Sequence, residues 1–184
     1  MSTKFISTTG AGDGSGSSLA NAINGNGATN SAGLRAAIQA ASSGDVFKIV
    51  GDAGSYTFTD NGFTISVPVT ITGVDSAGVD LTTGNYWVMQ GTSGTTYNIT
   101  SPTAISKNGI SFAVSVDNIT LNNTHIKLFR YNIYAENGKN RDITFSNFKS
   151  EICQDSITVK GDSAYVPGSG VSPGSANSQR RCYI

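Results

Sequence analysis

Acidic and basic residues recur at a spacing that could bring them together. Asp117 and Arg141 are separated by the same interval as Ile119 and Ile143, Asp142 follows directly, and Asp155 comes later in the chain. Clustered carboxylates beside an arginine are the groups that polysaccharide cleavage requires, for acid–base catalysis or for holding calcium. The same groups can form a structural salt bridge on a solvated corner, and we favour that interpretation. We therefore predict no catalytic residue, and the alternative catalytic set is Asp117, Arg141, Asp142 and Asp155.

The only histidine, His125, lies in an apolar stretch with Ile126 and Leu128. Serines are abundant, so a Ser-His-Asp arrangement stays conceivable. No serine has the strand–turn–helix context of an activated nucleophile, however. The sequence predicts a structural histidine at the surface or half-buried.

Candidate cofactor and metal sites lack their defining residues. Residues 10–16 are glycine-rich but have neither the lysine of a phosphate loop nor the setting of a dinucleotide turn. Asp13 and Asp60 lie in turns without the acidic spacing of known calcium loops. Cys153 and Cys182 are too isolated for a zinc site, and a bridge between them stays open. We predict no cofactor and no metal.

Composition favours β structure with many bends. Charged residues are 13 % of the chain, below the usual value of about 25 %, and there are 22 glycines. The 12 basic and 12 acidic residues form no basic stripe, which argues against a nucleic-acid partner. No apolar run has the length of a membrane span or a signal segment, so we expect synthesis in a cytosol and no membrane partner.

Residues 31–43 are predicted to form a helix. Ser31 is a candidate N-cap, and Leu34, Ile38 and Ala41 recur on one helical face. Gly44 is placed to end the helix in a left-handed conformation.

Short apolar runs separated by Gly, Asn, Asp or Ser follow this helix and predict strands. The candidate strands are 46–50, 56–58, 63–65, 69–72, 86–89, 97–100, 110–116, 119–121, 125–129, 131–134, 143–145, 148–152 and 157–159.

Internal similarity favours a solenoid over other β architectures. Residues 69–74, 119–124 and 143–148 share one pattern of apolar, Thr, apolar, small polar residue and Gly or Asn. The interval between the last two copies is close to one turn of a β-helix. The interval between the first two copies is about twice as long and leaves room for two turns, with 97–100 as a poorer intermediate.

The repeat also predicts which side chains point inward and which form a corner. Asn123 and Asn147 are expected to stack there, because Asn tolerates a left-handed bend and its amide can bond to the next Asn. The residues expected to point inward are Val69, Ile71, Ile119, Leu121, Ile143 and Phe145.

The N-terminal segments 5–16 and 33–49 resemble the start of pectate-lyase-like right-handed β-helix proteins. The resemblance rests on a Leu-x-x-Ala-Ile-x-x-Ala-x-x-Gly-Asp stretch from Leu34 to Asp45. That superfamily includes polysaccharide lyases and hydrolases, phage tailspikes and other virion proteins, and bacterial adhesins. The resemblance implies an all-β fold: a short right-handed parallel β-helix with an N-terminal capping helix. We expect an arm or loop over 1–30, helix and solenoid over 31–160, and an extended arm over 161–184.

Two functions fit this fold. The first is a non-enzymatic structural protein of a bacteriophage virion, such as a capsid cement or decoration protein or a small tail-associated β-helix. Its partners would be other virion subunits and itself, as a homotrimer or higher assembly, with arms reaching neighbouring subunits. The alternative is a carbohydrate-binding or carbohydrate-cleaving β-helix, a depolymerase or adhesin fragment with a glycan ligand. The aromatic residues that could line its groove are Tyr86, Trp87, Tyr97, Phe129, Tyr131 and Tyr134.

Overall fold

The computed structural model of this protein describes residues 1–27, 30–52, 54–92, 107–135, 141–151, 153, 155–159 and 180–183. These residues are mostly parallel β-sheet with little helix, as the composition predicts. The helices are a 3-10 turn at Leu19–Asn21 and α1 at Ala32–Gln39. The strands are β1 Thr3–Ser7, β2 Ile23–Asn24, β3 Asp45–Val50, β4 Ser55–Phe58, β5 Phe63–Ile65, β6 Val69–Val74, β7 Trp87–Gly91, β8 Asn108–Phe112, β9 Ile119–Lys127, β10 Tyr131–Ala135, β11 Arg141–Glu151, β12 Asp155–Val159 and β13 Arg180–Tyr183.

The described strands form two sheets around one shared core. The first sheet has the order β13-β11-β9-β6-β3-β1-β2, with β7 joining β4 to the second half of β9. The second sheet has the order β12-β10-β8-β5. Every strand pair named here is parallel, and apolar side chains from both sheets meet in one buried cluster.

The three predicted repeat copies are neighbours in the first sheet. Ile143 pairs with Ile119, and Ile71 pairs with Leu121, in the register of the sequence alignment. All six residues expected to point inward are buried, at 0–9 % exposure. The repeat therefore predicted both the pairing and the core.

One detail of the repeat was wrong. Because β6 pairs directly with β9, the chain between the first and second copies adds no further strand to this part of the sheet. Residues 75–86 instead form a connection that folds back, with Leu81 donating its N–H to the Gly73 carbonyl. The proposed intermediate strand 97–100 lies outside the described residues.

Asn123 and Asn147 form the predicted corner. Both have left-handed backbones, with φ of 52° and 47°, where β9 and β11 bend without ending. Asn147 Nδ2 donates to Asn123 Oδ1 at 2.9 Å, and Asn123 Nδ2 donates to the Gly73 carbonyl at 3.2 Å. Asn147 also accepts the N–H of Gly84, so the 75–86 connection is held over the corner.

Helix α1 is shorter than predicted but buries the predicted face. Leu34 and Ile38 are buried, and the helix packs against β5 and β2. Ser31 precedes the helix without a side-chain capping bond, because its hydroxyl donates to the Thr57 carbonyl at 2.9 Å instead. Gly44 has the expected left-handed φ of 85°, but the helix ends at Gln39.

The chain near both termini belongs to the first sheet. β1, inside the segment 1–30 that was expected to be an arm or loop with a possible short strand at Phe5-Ile6, pairs with β3, and Ile6 is fully buried. The last described residues pair as β13 with β11. In β1 the burial of Ile6 against the core explains why this segment joins the sheet rather than extends from it.

Candidate functional site

The alternative catalytic set is distributed over two sheets. Asp117 lies two residues before β9 and Arg141 opens β11, so they keep the offset of the paired residues Ile119 and Ile143. Asp142 is exposed and has a left-handed φ of 52°. Asp155, in contrast, opens β12 and pairs with Tyr131 in the second sheet. The side chains of Arg141 and Asp155 lie outside the described residues.

His125 is more buried than the sequence predicted. Its exposure is 8 %, and its Nε2 lies 3.0 Å from Glu151 Oε2, while Lys149 Nζ lies 2.7 Å from the other oxygen of that carboxylate. The Tyr86 ring covers the imidazole edge-on at a centroid distance of 5.8 Å. Burial lowers the pKa of His125, opposed in part by the Glu151 carboxylate. The hydrogen bond from Lys149 likewise lowers the pKa of Glu151. The cluster of Tyr86, His125, Lys149 and Glu151 joins β9, β11 and the 75–86 connection.

The outer surface of the second sheet carries half-buried polar and aromatic side chains. Thr64, Ser111 and Tyr134 alternate with buried residues and occupy paired positions on β5, β8 and β10. Tyr131 and Tyr134 stack at 5.6 Å with 19° between their planes, and Arg130 Cζ lies 4.9 Å from the Tyr131 ring centre. We call Arg130, Tyr131 and Tyr134 the aromatic platform.

The other aromatic residues expected in a groove are placed differently. Trp87 and Phe129 are fully buried, and Trp87 Nε1 donates to Thr124 Oγ1 at 2.9 Å within the core. Tyr86 lies on the first sheet over His125. Tyr97 lies outside the described residues.

A cavity of about 250 Å³ lies between α1 and the start of the second sheet. We call it the α1 cavity. Arg35 and Gln39 of α1 form one wall. The residues that line the rest are Asp60, Asn61, Gly62, Phe63, Thr64, Asn108 and Ser111.

Ion pairing and hydrogen bonds hold the walls of the α1 cavity. Asp60 Oδ1 lies 2.6 Å from Lys107 Nζ, and this bond lowers the pKa of Asp60. The N–H of Asn108 donates to Asn61 Oδ1 at 2.8 Å. Arg35 Nη2 donates to the Asn61 carbonyl, while its Nε is buried without a hydrogen-bond partner among the described residues.

The sequence held a signal for this cavity that the motif analysis missed. Residues 60–63 and 107–110 both read charged residue, Asn, Gly and apolar residue. Phe63 pairs with Ile110, so the two copies stack in register. Glycine is required, because a Cβ at Gly62 would collide with the Gly109 carbonyl. The two charges thereby meet as the Asp60–Lys107 pair.

Metal binding gains no support from the described residues. Among them, no group of three or more His, Cys, Asp or Glu side chains could hold an ion. Asp13 accepts the N–H of Ser15 at 2.9 Å, and its pKa is lowered by that bond. Asp60, the other candidate calcium residue, is paired with Lys107.

Comparison with known proteins gave no relative. No protein family, curated protein or solved structure matches this chain. Within the part of the chain that the structure describes, no helix is long and apolar enough to span a membrane.

Proposed function

We propose that the two sheets form a short right-handed parallel β-helix, with α1 as its N-terminal cap. The spacing of paired residues supports this proposal, since Asp45 pairs with Val69 and Ile119 with Ile143, which is the same interval along the chain in both cases. Between such pairs the chain passes through the second sheet, as Phe63, Ile110, Ile133 and Ile157 pair in sequence there. Right-handed crossovers are strongly favoured between parallel strands of one sheet.

The proposed function is that of a non-enzymatic structural protein of a bacteriophage virion. The observation that carries it is the stacking of equivalent residues in register, which gives a rigid body held by a ladder of backbone and Asn side-chain hydrogen bonds. Such a body suits a cement, decoration or tail-associated role that acts through binding. Its partners are other virion subunits and further copies of itself, and its location is the virion after synthesis in the host cytosol.

Light scattering during size-exclusion chromatography tests this function, combined with a polysaccharide-cleavage screen on the same sample. We expect a homotrimer or larger assembly and no cleavage. Mass spectrometry of purified particles should then detect the chain. A monomer that shortens a polysaccharide, and that loses this activity in Asp117→Ala or Asp142→Ala, would overturn the proposal.

Carbohydrate binding is the second candidate, and the aromatic platform favours it. Stacked tyrosines flanked by an arginine offer a flat apolar surface with hydrogen-bonding edges, which suits a sugar ring. Binding to a glycan array should fall strongly in Tyr134→Ala. It should persist in Tyr86→Ala, the matched tyrosine of the first sheet. Equal binding by both variants would exclude the platform as the glycan site.

A further inference from the structure

We propose that the α1 cavity binds a small hydroxylated carboxylate, with Arg35 as the residue that holds the carboxylate group. This site is separate from the assembly function proposed above and does not depend on it. Three features support the proposal. They are the positive charge of the cavity, the buried Nε donor of Arg35, and the hydroxyl and amide groups along the wall.

The net positive charge around the α1 cavity favours a ligand with a single negative charge. Asp60 is paired with Lys107 at 2.6 Å, so the two charges compensate each other. Arg35 contributes a further positive charge, and it contacts the Asn61 carbonyl and the face of Phe58, 5.6 Å from Cζ to the ring centre. Neither contact neutralises the guanidinium. A carboxylate matches one guanidinium in charge and planar geometry, and hydrogen bonds between them are roughly twice as strong as neutral ones.

The unsatisfied Nε donor of Arg35 favours a ligand that carries hydrogen-bond acceptors. Arg35 Nε is buried and lacks a hydrogen-bond partner among the described residues. A buried donor without a partner is destabilising, so a turn of the guanidinium that brings Nε to a carboxylate oxygen in the cavity would relieve that cost. A carboxylate supplies two acceptor oxygens.

The rest of the wall suits hydroxyl groups. Thr64 and Ser111 carry hydroxyls at paired outward positions, and Gln39 and Asn108 add side-chain amides. These groups both donate and accept hydrogen bonds, as sugar-like hydroxyls do. The volume of about 250 Å³ lies below the roughly 300–1,000 Å³ of pockets that hold drug-sized ligands, which suits a smaller ligand such as a three- or four-carbon hydroxy acid.

Titration calorimetry with L-threonate tests the proposal, and erythritol is the matched neutral probe of the same length. We expect threonate to bind with a Kd of about 10 mM or tighter, and erythritol to bind at least tenfold more weakly. Gluconate, which is longer, should bind more weakly than threonate. Absence of saturable threonate binding, or equal binding of threonate and erythritol, would overturn the proposal.

Variants identify the residue responsible. Arg35→Met keeps an unbranched apolar side chain at this position but removes the guanidinium, and should weaken threonate binding at least tenfold. Lys48→Met is the matched control, because Lys48 also lies over an aromatic ring, that of Phe5 at 5.8 Å, but on the first sheet. It should leave binding unchanged. Unaltered binding in Arg35→Met would refute the role of Arg35.

A second variant covers the case in which Arg35→Met does not fold. Ser111→Asp places a negative charge on an outward position of the cavity wall and should abolish threonate binding through repulsion. Ser111→Asn, of similar size and without charge, should retain most of it. Equal affinity in Ser111→Asp and Ser111→Asn would show that threonate binds elsewhere.

Discussion

Replacing Asn123 removes the central member of the corner ladder. Its side chain is 8 % exposed, accepts from Asn147 and donates to the Gly73 carbonyl. Asn123→Ala deletes both hydrogen bonds, at about 1 kcal/mol each, and places alanine at φ of 52°, at about 1 kcal/mol more. We expect the free energy of unfolding to fall by about 3 kcal/mol.

Asn123→Gly separates the two causes. Glycine adopts the left-handed conformation freely, so only the lost hydrogen bonds remain and the expected loss is about 2 kcal/mol. In a double-mutant cycle, Asn123→Ala and Asn147→Ala should show a coupling of about 1 kcal/mol, because they share the 2.9 Å bond.

Urea unfolding followed by tryptophan fluorescence provides the assay. Trp87 is the only tryptophan and is fully buried beside β9, so its emission reports the loss of this packing. The midpoint should move while the denaturant slope stays constant. If Asn123→Ala and Asn123→Gly cost the same, the left-handed backbone carries no penalty. If the cycle shows no coupling, the ladder bond is not a stabilising contact.

Three further outcomes are expected. Leu34→Ala, on the fully buried face of α1, should lower the free energy of unfolding by about 3 kcal/mol. The matched control Gln39→Ala, at an exposed position of the same helix, should change it by less than about 0.5 kcal/mol. Equal effects of the two substitutions in urea unfolding would contradict the burial of Leu34. Burial lowers the pKa of His125 in the folded protein, so as the pH falls the imidazole is protonated more readily in the unfolded chain than in the folded one. The free energy of unfolding should therefore decline as pH falls below about 6.5, the ordinary pKa of histidine. In thermal melts recorded at several pH values, His125→Gln should lose the part of this decline that is due to His125. A pH profile identical to that of the original chain would contradict the assignment. Backbone hydrogen bonds from Ser42 and Ser2 lower the pKa of Asp45, so its contribution is complete above about pH 4 and is lost as pH falls through the folded-state pKa. In Asp45→Asn the free energy of unfolding should fall less steeply below about pH 4. A fall as steep as that of the original chain would refute the role of Asp45.

The sequence predicted those parts of the fold that depend on local pattern. Alternating apolar residues identified the strands, and a shared Thr/Asn pattern aligned Ile119 with Ile143 in the observed register. Asn123 and Asn147 were predictable because few residues other than Gly tolerate a left-handed corner. The strand boundaries differ by a few residues, and β9 and β11 each combine two predicted strands. A bend at one Asn does not interrupt the strand.

The candidate sites were less predictable, because they join residues far apart in sequence. Arg35 belongs to a helix whose sequence pattern reports only its buried face. Its position beside Asn61 depends on how α1 packs against β5. The Asp60–Lys107 pair depends on the register between β5 and β8, whose paired residues Phe63 and Ile110 lie about twice as far apart in the chain as Ile119 and Ile143. Local sequence patterns do not show which of these two spacings a pair of strands adopts.

The equal offset of the pairs β3–β6 and β9–β11 also bears on how such a chain could change in length. Because Ile119 and Ile143 occupy one column, an in-frame duplication of the interval between them would place copies of Ile119 and Leu121 against the core and a copy of Asn123 at the corner. A duplication shorter or longer by a single residue would shift the alternation and turn core residues to solvent. In the proposed β-helix, lengthening by whole turns therefore keeps both the buried column and the Asn corner in place, whereas other changes of length disrupt one or the other.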